Sequence, residues 1–259
     1  MTHFFVFLPM RYFIELSYKG TDFKGWQRQP NASSVEETLE DALSTLLRQP
    51  VQIVGSSRTD SGVHAVQQFA HFDLDSAIPN IDKLVRSVNS ILPRTIAVTT
   101  IFKVNDTIHS RFAATHRAYE YRICTQKSPF LRDLAYFFNP KLDISLMNEA
   151  AQILFKYIDY QCFCKLHTDV KTFNCTITEA QWTQQGDLWV FRIKSDRFLR
   201  GMVRAIVGTM IDVGTNKISV AEFEQIIISK KRANASAQAP AEGLFLVEVG
   251  YNESCFSLT

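Results

Sequence analysis

The apolar positions of this chain change period several times, and each change marks an element. Residues 11–18, RYFIELSY, are rich in β-forming residues and predict a strand, after which KGTDFKGWQRQP reads as a loop. From Ser34 the period becomes helical. Val35, Leu39, Ala42, Leu43, Leu46 and Leu47 fall on one stripe, and Glu37 stands three residues after Ser34, the spacing of a capping box. VQIV at 51–54 predicts a short strand, GSSRTDSGVH at 55–64 a loop, and Ala65 to Leu74 a longer strand. Ile81, Leu84, Val85, Val88 and Ile91 form a second helical stripe that stops at Pro93, and IAVTTIFKV at 96–104 closes the half as a strand. The order βαββαβ is that of a split-βαβ, ferredoxin-like unit.

The rest of the chain repeats the plan with additions. Strands are predicted over 117–125, near 174–182, over 187–195 and in the final LFLVEVGY, with helices over 145–157, 198–213 and 220–229. The second of these helices is expected to stop at Gly214, and Ser219 with Glu222 predicts a second capping box at the start of the third. The expected fold class is therefore α+β, with two ferredoxin-like halves: an N-terminal half over 1–107 and a C-terminal half over 108–259, tightly packed on each other.

Composition narrows the partners. With 46% hydrophobic and 21% charged residues the chain is an ordinary globular one, and a formal charge of +2 excludes an all-over basic coat, so any polyanion site must be a local patch. Arg197, Arg200 and Arg204 are spaced to share one helical face and are the first candidates; Lys230, Lys231 and Arg232 read as solvated surface. Five cysteines without the spacing of a secreted domain indicate free thiols. Cys162, Cys164, His167 and Cys175 lack a CxxC pair, so reduced structural cysteines are expected there and no metal. The opening MTHFFVFLP is too short for a membrane span and has no basic n-region; a cytoplasmic protein is expected, with residues 1–9 a dispensable extension or Met10 an alternative start.

The loop GSSRTDSGVH places Arg58, Asp60 and His64 among small residues between two strands. An Asx-type turn would explain Asp60 and Gly62, but not Arg58. Arg111 in HSRF, Tyr119 and Tyr121 in RAYEY, and Arg204 in FLRGMVRAIVG could converge on Asp60 if a cleft lay between the halves.

The stretch SRTDSGVHA resembles the catalytic loop of the tRNA pseudouridine synthase A family, and YKGTDFKGWQRQ resembles that family's first loop. HSRFAATHRAYEYRI, FLRGMVRAIVGTMIDVG and AEGLFLVEV match further family segments in order, so the resemblance runs from about residue 11 to residue 250. It departs at Ser57, where glycine is usual, at Gly201, where a polar residue is common, and at YQCFC.

The resemblance implies a pseudouridine-synthase-type sheet with a central active-site cleft. By the same resemblance Asp60 is the catalytic aspartate, Tyr119 the aromatic that stacks on the target uracil and the candidate base, Arg204 the ion-pair partner that orients Asp60, and Arg58 the residue that displaces or holds the flipped nucleotide. Tyr119, Arg58, His64, Arg111, Arg197, Arg200 and Leu244 are the expected substrate-binding residues; His64 and His109 are given no proton to carry. The implied reaction isomerises uridine to pseudouridine at nucleotides 38, 39 and 40 of the tRNA anticodon stem-loop, without a cofactor, in a homodimer. The competing expectations are a non-catalytic RNA-binding protein of the same fold, or the same isomerase on another structured RNA.

Overall fold

The computed structural model describes residues 9–166, 168 and 170–256. Of the expected extension, residues 1–8 lie outside these, as does His167. Two compact units divide the chain: residues up to Thr115 together with those from Glu248 onward, and His116–Val247. The closing segment thus belongs with the first unit, a return that chain order does not announce.

In the first unit the elements are β1 (Met10–Tyr18), α1 (Val35–Leu47), β2 (Val54–Gly55), β3 (His64–Leu74), α2 (Ile81–Ile91) and β4 (Ile96–Val104), the βαββαβ order read from the periods. β1 lies between β4 and β3, antiparallel to both. Burial follows the stripes: Val35, Leu39, Ala42 and Leu43 of α1 and Leu84 and Val88 of α2 are buried. On one face of β1 the Phe13 ring meets Phe69, Phe102 and Tyr251; Tyr12 stacks on Phe72. Phe13, Tyr12 and Phe72 are buried, and each such side chain contributes about 1.5–3 kcal/mol of transfer free energy.

Ser34 caps α1 by accepting the Glu37 N–H at 3.2 Å, but the Glu37 carboxylate faces Arg28 at 3.5 Å and leaves the box half made. Of the expected strand at 51–54 only Val54 pairs with β3, opposite His71, and Gly55 beyond it pairs with Ala70. Val51 and Ile53 are buried without a ladder, the Ile53 N–H going instead to the Glu40 carboxylate at 2.9 Å.

The second unit takes up β5 (Ala114–Cys124) from His116 on and continues with β6 (Tyr136–Phe137), α3 (Ile144–Ile153), β7 (Ile177–Gln185), β8 (Leu188–Ser195), α4 (Met202–Gly214) and α5 (Val220–Ser229); β9 (Leu244–Tyr251) begins here and ends in the first unit. β8 pairs antiparallel with β5 and β7. The capping box of α5 is complete.

Three boundaries differ from expectation. α4 begins at Met202, not near 198, because Gly201 takes a left-handed φ of 70° at its N-cap. It runs through Gly214, and the left-handed residue that follows its end is Asn216, φ 59°. α3 stops at Ile153 and tightens into a 3-10 turn over Leu154–Lys156. Among the described residues no helix is long and apolar enough to cross a membrane.

Candidate active site

The loop that carries Asp60 leaves β2 and enters β3, and its small residues are clamped one by one. Ser56 N–H donates to the Phe69 carbonyl at 2.7 Å and its hydroxyl to Gln68 Oε1 at 2.6 Å, while Gln68 Nε2 donates to the Ser57 carbonyl at 2.7 Å. The Thr59 hydroxyl is 2.8 Å from that of Tyr18, and its carbonyl accepts the Trp26 N–H at 3.1 Å. Gly25 lies so close that a side chain there would stand 2.6 Å from the Thr59 carbonyl oxygen. Ser56, Ser57 and Thr59 are consequently buried, whereas Arg58 is exposed and Asp60 half-buried. The loop buries Ser56, Ser57 and Thr59 and presents Arg58 and, in part, Asp60.

Asp60 opens a turn, as the bland reading of the sequence has it, but the main chain closes it. The Val63 N–H donates to the Asp60 carbonyl at 3.1 Å, and Gly62 supplies the φ of 79° at the third position. His64 is 1% exposed, and its Nδ1 accepts the Gly20 N–H at 3.0 Å. That bond ties the first loop to β3 and holds His64 in place beneath the Asp60 loop.

Arg111 is exposed beside Phe112, which is 77% exposed. The segment carrying both is anchored by a group the sequence reading missed. Ser110 is fully buried; its hydroxyl donates to the Val54 carbonyl at 2.7 Å, its N–H to His71 Nδ1 at 3.2 Å, and its carbonyl accepts the Tyr251 hydroxyl at 2.6 Å. Ser110 thus pins the Arg111 segment to β2, the strand that launches the Asp60 loop. The signal for it was a histidine inside the apolar run of β3.

Burial, and after it the charges of Arg11 and His109, lower the His71 pKa from 6.5 to about 4. The unfolded chain takes up that proton near pH 6.5, so between there and about 4 the unfolded state binds more protons. The stabilisation is complete above pH 6.5 and drains as the pH falls toward 4, with a total on the order of 2–3 kcal/mol. Urea midpoints should therefore drop between pH 7.5 and 5, and less so for His71→Asn, which keeps an acceptor for Ser110 and loses the titration. Parallel pH profiles for the two proteins would remove His71 from this account.

In the second unit Tyr119 sits on β5 opposite Ile193 of β8, 8% exposed, with its ring edge-on to Phe198 at 5.2 Å and 89°. Arg204 is the third residue of α4, half-buried; its Nε donates to the Ala239 carbonyl at 2.7 Å, and the Ala239 N–H returns a bond to the Arg204 carbonyl at 2.9 Å. A cation in the first turn opposes the helix dipole at a cost of about 0.3–1 kcal/mol, so helix stability does not explain it.

Arg197 and Arg200 precede α4, and the common helical face expected for them with Arg204 does not exist. Arg200 is exposed, and Arg197 is half-buried with its N–H on Asp196 Oδ1 at 2.7 Å. Leu244 is buried at the start of β9.

Burial pushes the thiols of Cys162 and Cys175 up to about 12 and raises that of Cys164 as well, which opposes the thiolate form that metals take. Among the described residues no group of three or more Cys, His, Asp or Glu side chains is placed to hold a metal.

What the two units offer is a carboxylate on a rigid loop beside an exposed arginine, and an aromatic ring with an anchored guanidinium. A family model described as tRNA pseudouridine synthase matches residues 16–113 and 150–252. A relative from Parabacteroides distasonis, named tRNA pseudouridine synthase A, is 50% identical over 246 residues, covering 95% of this chain and 98% of the relative. Proteins of the same name from Bacteroides fragilis and Bacillus licheniformis are 48% and 40% identical, covering 95% and 94% of this chain and 98% and 100% of theirs. The motifs, the fold and this near full-length similarity agree, and the chain belongs to the tRNA pseudouridine synthase family.

Proposed function

We propose that this protein isomerises uridine to pseudouridine in tRNA, at nucleotides 38, 39 and 40 of the anticodon stem-loop. The reaction breaks the N1–C1′ bond of the target uridine and forms C5–C1′, and the proton on C5 is lost as N1 regains one. No electrons enter or leave. The observation that carries the reading is Asp60: a half-buried carboxylate on a loop held through Ser56, Ser57 and Thr59 and turned by a main-chain bond. A carboxylate so held can add to the nucleoside and leave again, splitting one hard step into two.

The target base must leave its stack, which costs a few kcal/mol of unstacking and unpairing. Tyr119 repays part of that cost by stacking, and Arg58, exposed two residues before Asp60, holds the flipped nucleotide. Arg204 orients Asp60 and balances its charge. Arg111, Arg197 and Arg200 contact phosphates, which position the RNA without reading it, and Leu244 contributes apolar surface on the substrate side. The same proposal includes a homodimer acting in the cytoplasm.

The test is tritium release from anticodon-arm transcripts carrying 5-tritiated uridine at position 38, 39 or 40 alone. Release from each, with pseudouridine mapped at the same nucleotide, is expected. Tight binding without release would leave an RNA-binding protein of this fold in place of an enzyme.

Tyr119→Phe separates two roles of one residue. The variant keeps the ring and loses the hydroxyl, so if the hydroxyl moves a proton, kcat falls by about a hundredfold while KM holds. An unchanged kcat would reduce Tyr119 to stacking.

A further inference from the structure

Residues 235–243, ASAQAPAEG, form a strap that runs along α4 before β9 begins. Ser236 N–H donates to the Thr209 hydroxyl at 3.2 Å and the Ser236 hydroxyl to Asp212 Oδ2 at 2.6 Å. Gln238 Nε2 donates to the Gly201 carbonyl at 3.2 Å, and Ala239 exchanges two bonds with Arg204. The strap is therefore pinned to three turns of α4, and Arg204 is one of the pins.

From β5 the Tyr121 hydroxyl donates to the Pro240 carbonyl at 2.8 Å and so holds the strap. Tyr121 is fully buried, and Gly243 packs so closely that a side chain there would stand 2.7 Å from its ring. Burial raises the phenol pKa, so the group remains a proton donor across the working range. Pro240 has no N–H, which leaves its carbonyl as the only main-chain group through which the sheet can fix it.

Two successive carbonyls are thus divided between two side chains: Ala239 binds the Arg204 guanidinium and Pro240 binds the Tyr121 hydroxyl. We infer that Tyr121 is a positioning residue for Arg204, its hydroxyl fixing the peptide whose neighbour sets the plane of the guanidinium. Tyr121 acts on the reaction through Arg204 and does not touch the substrate. This rests on the function proposed above, in which Arg204 orients the nucleophile.

The test is a double-mutant cycle in single-turnover tritium release, with full-length protein and the transcripts already described. Tyr121→Phe keeps the buried ring, and kcat is expected to fall by about ten- to a hundredfold with KM for tRNA within about twofold, the scale of a small misplacement of a reacting group. In an Arg204→Ala background the same change should cost less than about twofold, since there is no guanidinium left to position. Replacing Tyr121 with 4-aminophenylalanine, which retains a donor, should restore the rate to within about threefold of wild type.

Equal losses in both backgrounds, or no loss in either, would overturn the inference, the first by making Tyr121 a general packing residue. If Tyr121→Phe did not fold, the 4-aminophenylalanine protein would decide: a rate as low as that of Arg204→Ala refutes the role, and a near-normal one upholds it. Failure of wild type to release tritium would instead refute the proposed function, and this inference with it.

Discussion

Asp60→Asn is expected to lower pseudouridine formation by about 10⁴-fold or more while tRNA affinity stays within about threefold of wild type. The size follows from the role. An amide of the same shape cannot add to the nucleoside, so the covalent route closes instead of slowing. The selectivity follows from the structure: the Asp60 turn is closed by its main-chain carbonyl, and the loop is held through Ser56, Ser57 and Thr59. None of those bonds uses the carboxylate, so the loop should keep its shape and Arg58 its exposure. Single-turnover tritium release and filter binding on one tRNA preparation measure both halves of the claim. Asp60→Ala belongs beside it, because an asparagine followed by Ser61 can deamidate slowly and regenerate the aspartate. More than about a hundredth of the wild-type rate in the alanine variant would remove Asp60 as the nucleophile.

The fold was legible where one period ran long enough to dominate. The stripes of α1 and α2 bury their central positions, with Ile91 at the end of α2 left exposed, and together with the runs of β1, β3 and β4 they give the βαββαβ order. Reading failed where a local signal was overruled by a distant partner. Residues 51–53 have strand composition, but the Ile53 N–H is taken by Glu40 from the helix before it. The apolar positions around Phe198 and Leu199 suggest a helix start, but Gly201 in the left-handed region moves it to Met202 and takes Arg197 and Arg200 off the helix.

For the proposed site, SRTDSGVHA pointed to Asp60 and Arg58 through its family resemblance, while its composition alone fitted a plain turn as well. Nothing local announced Ser110, which looks like any loop serine until Val54, His71 and Tyr251 are brought around it from 56, 39 and 141 residues away. The same holds for Tyr121: its strand period gives its burial, while its hydrogen bond comes from Pro240, 119 residues on.

Arg204→Lys is the second large expected effect, about 10³-fold in kcat with tRNA affinity within about threefold. Lysine keeps the positive charge and suits a helix about as well as arginine, so neither net charge nor α4 is expected to change. What it loses is shape. In the wild type Nε is committed to the Ala239 carbonyl at 2.7 Å, which leaves the two terminal nitrogens of a rigid fork to act on another group in a fixed plane. A single ammonium cannot hold the strap and reach beyond it at once; satisfying Ala239 withdraws the charge, and extending it leaves that carbonyl without its donor. The substitution thereby distinguishes a cation that only neutralises from one that orients. If charge alone served the reaction, Arg204→Lys would turn over near the wild-type rate and Arg204→Ala would not. If orientation is required, the two variants should be nearly equally slow, and free guanidinium ion added to Arg204→Ala should recover part of the lost rate while ammonium recovers none.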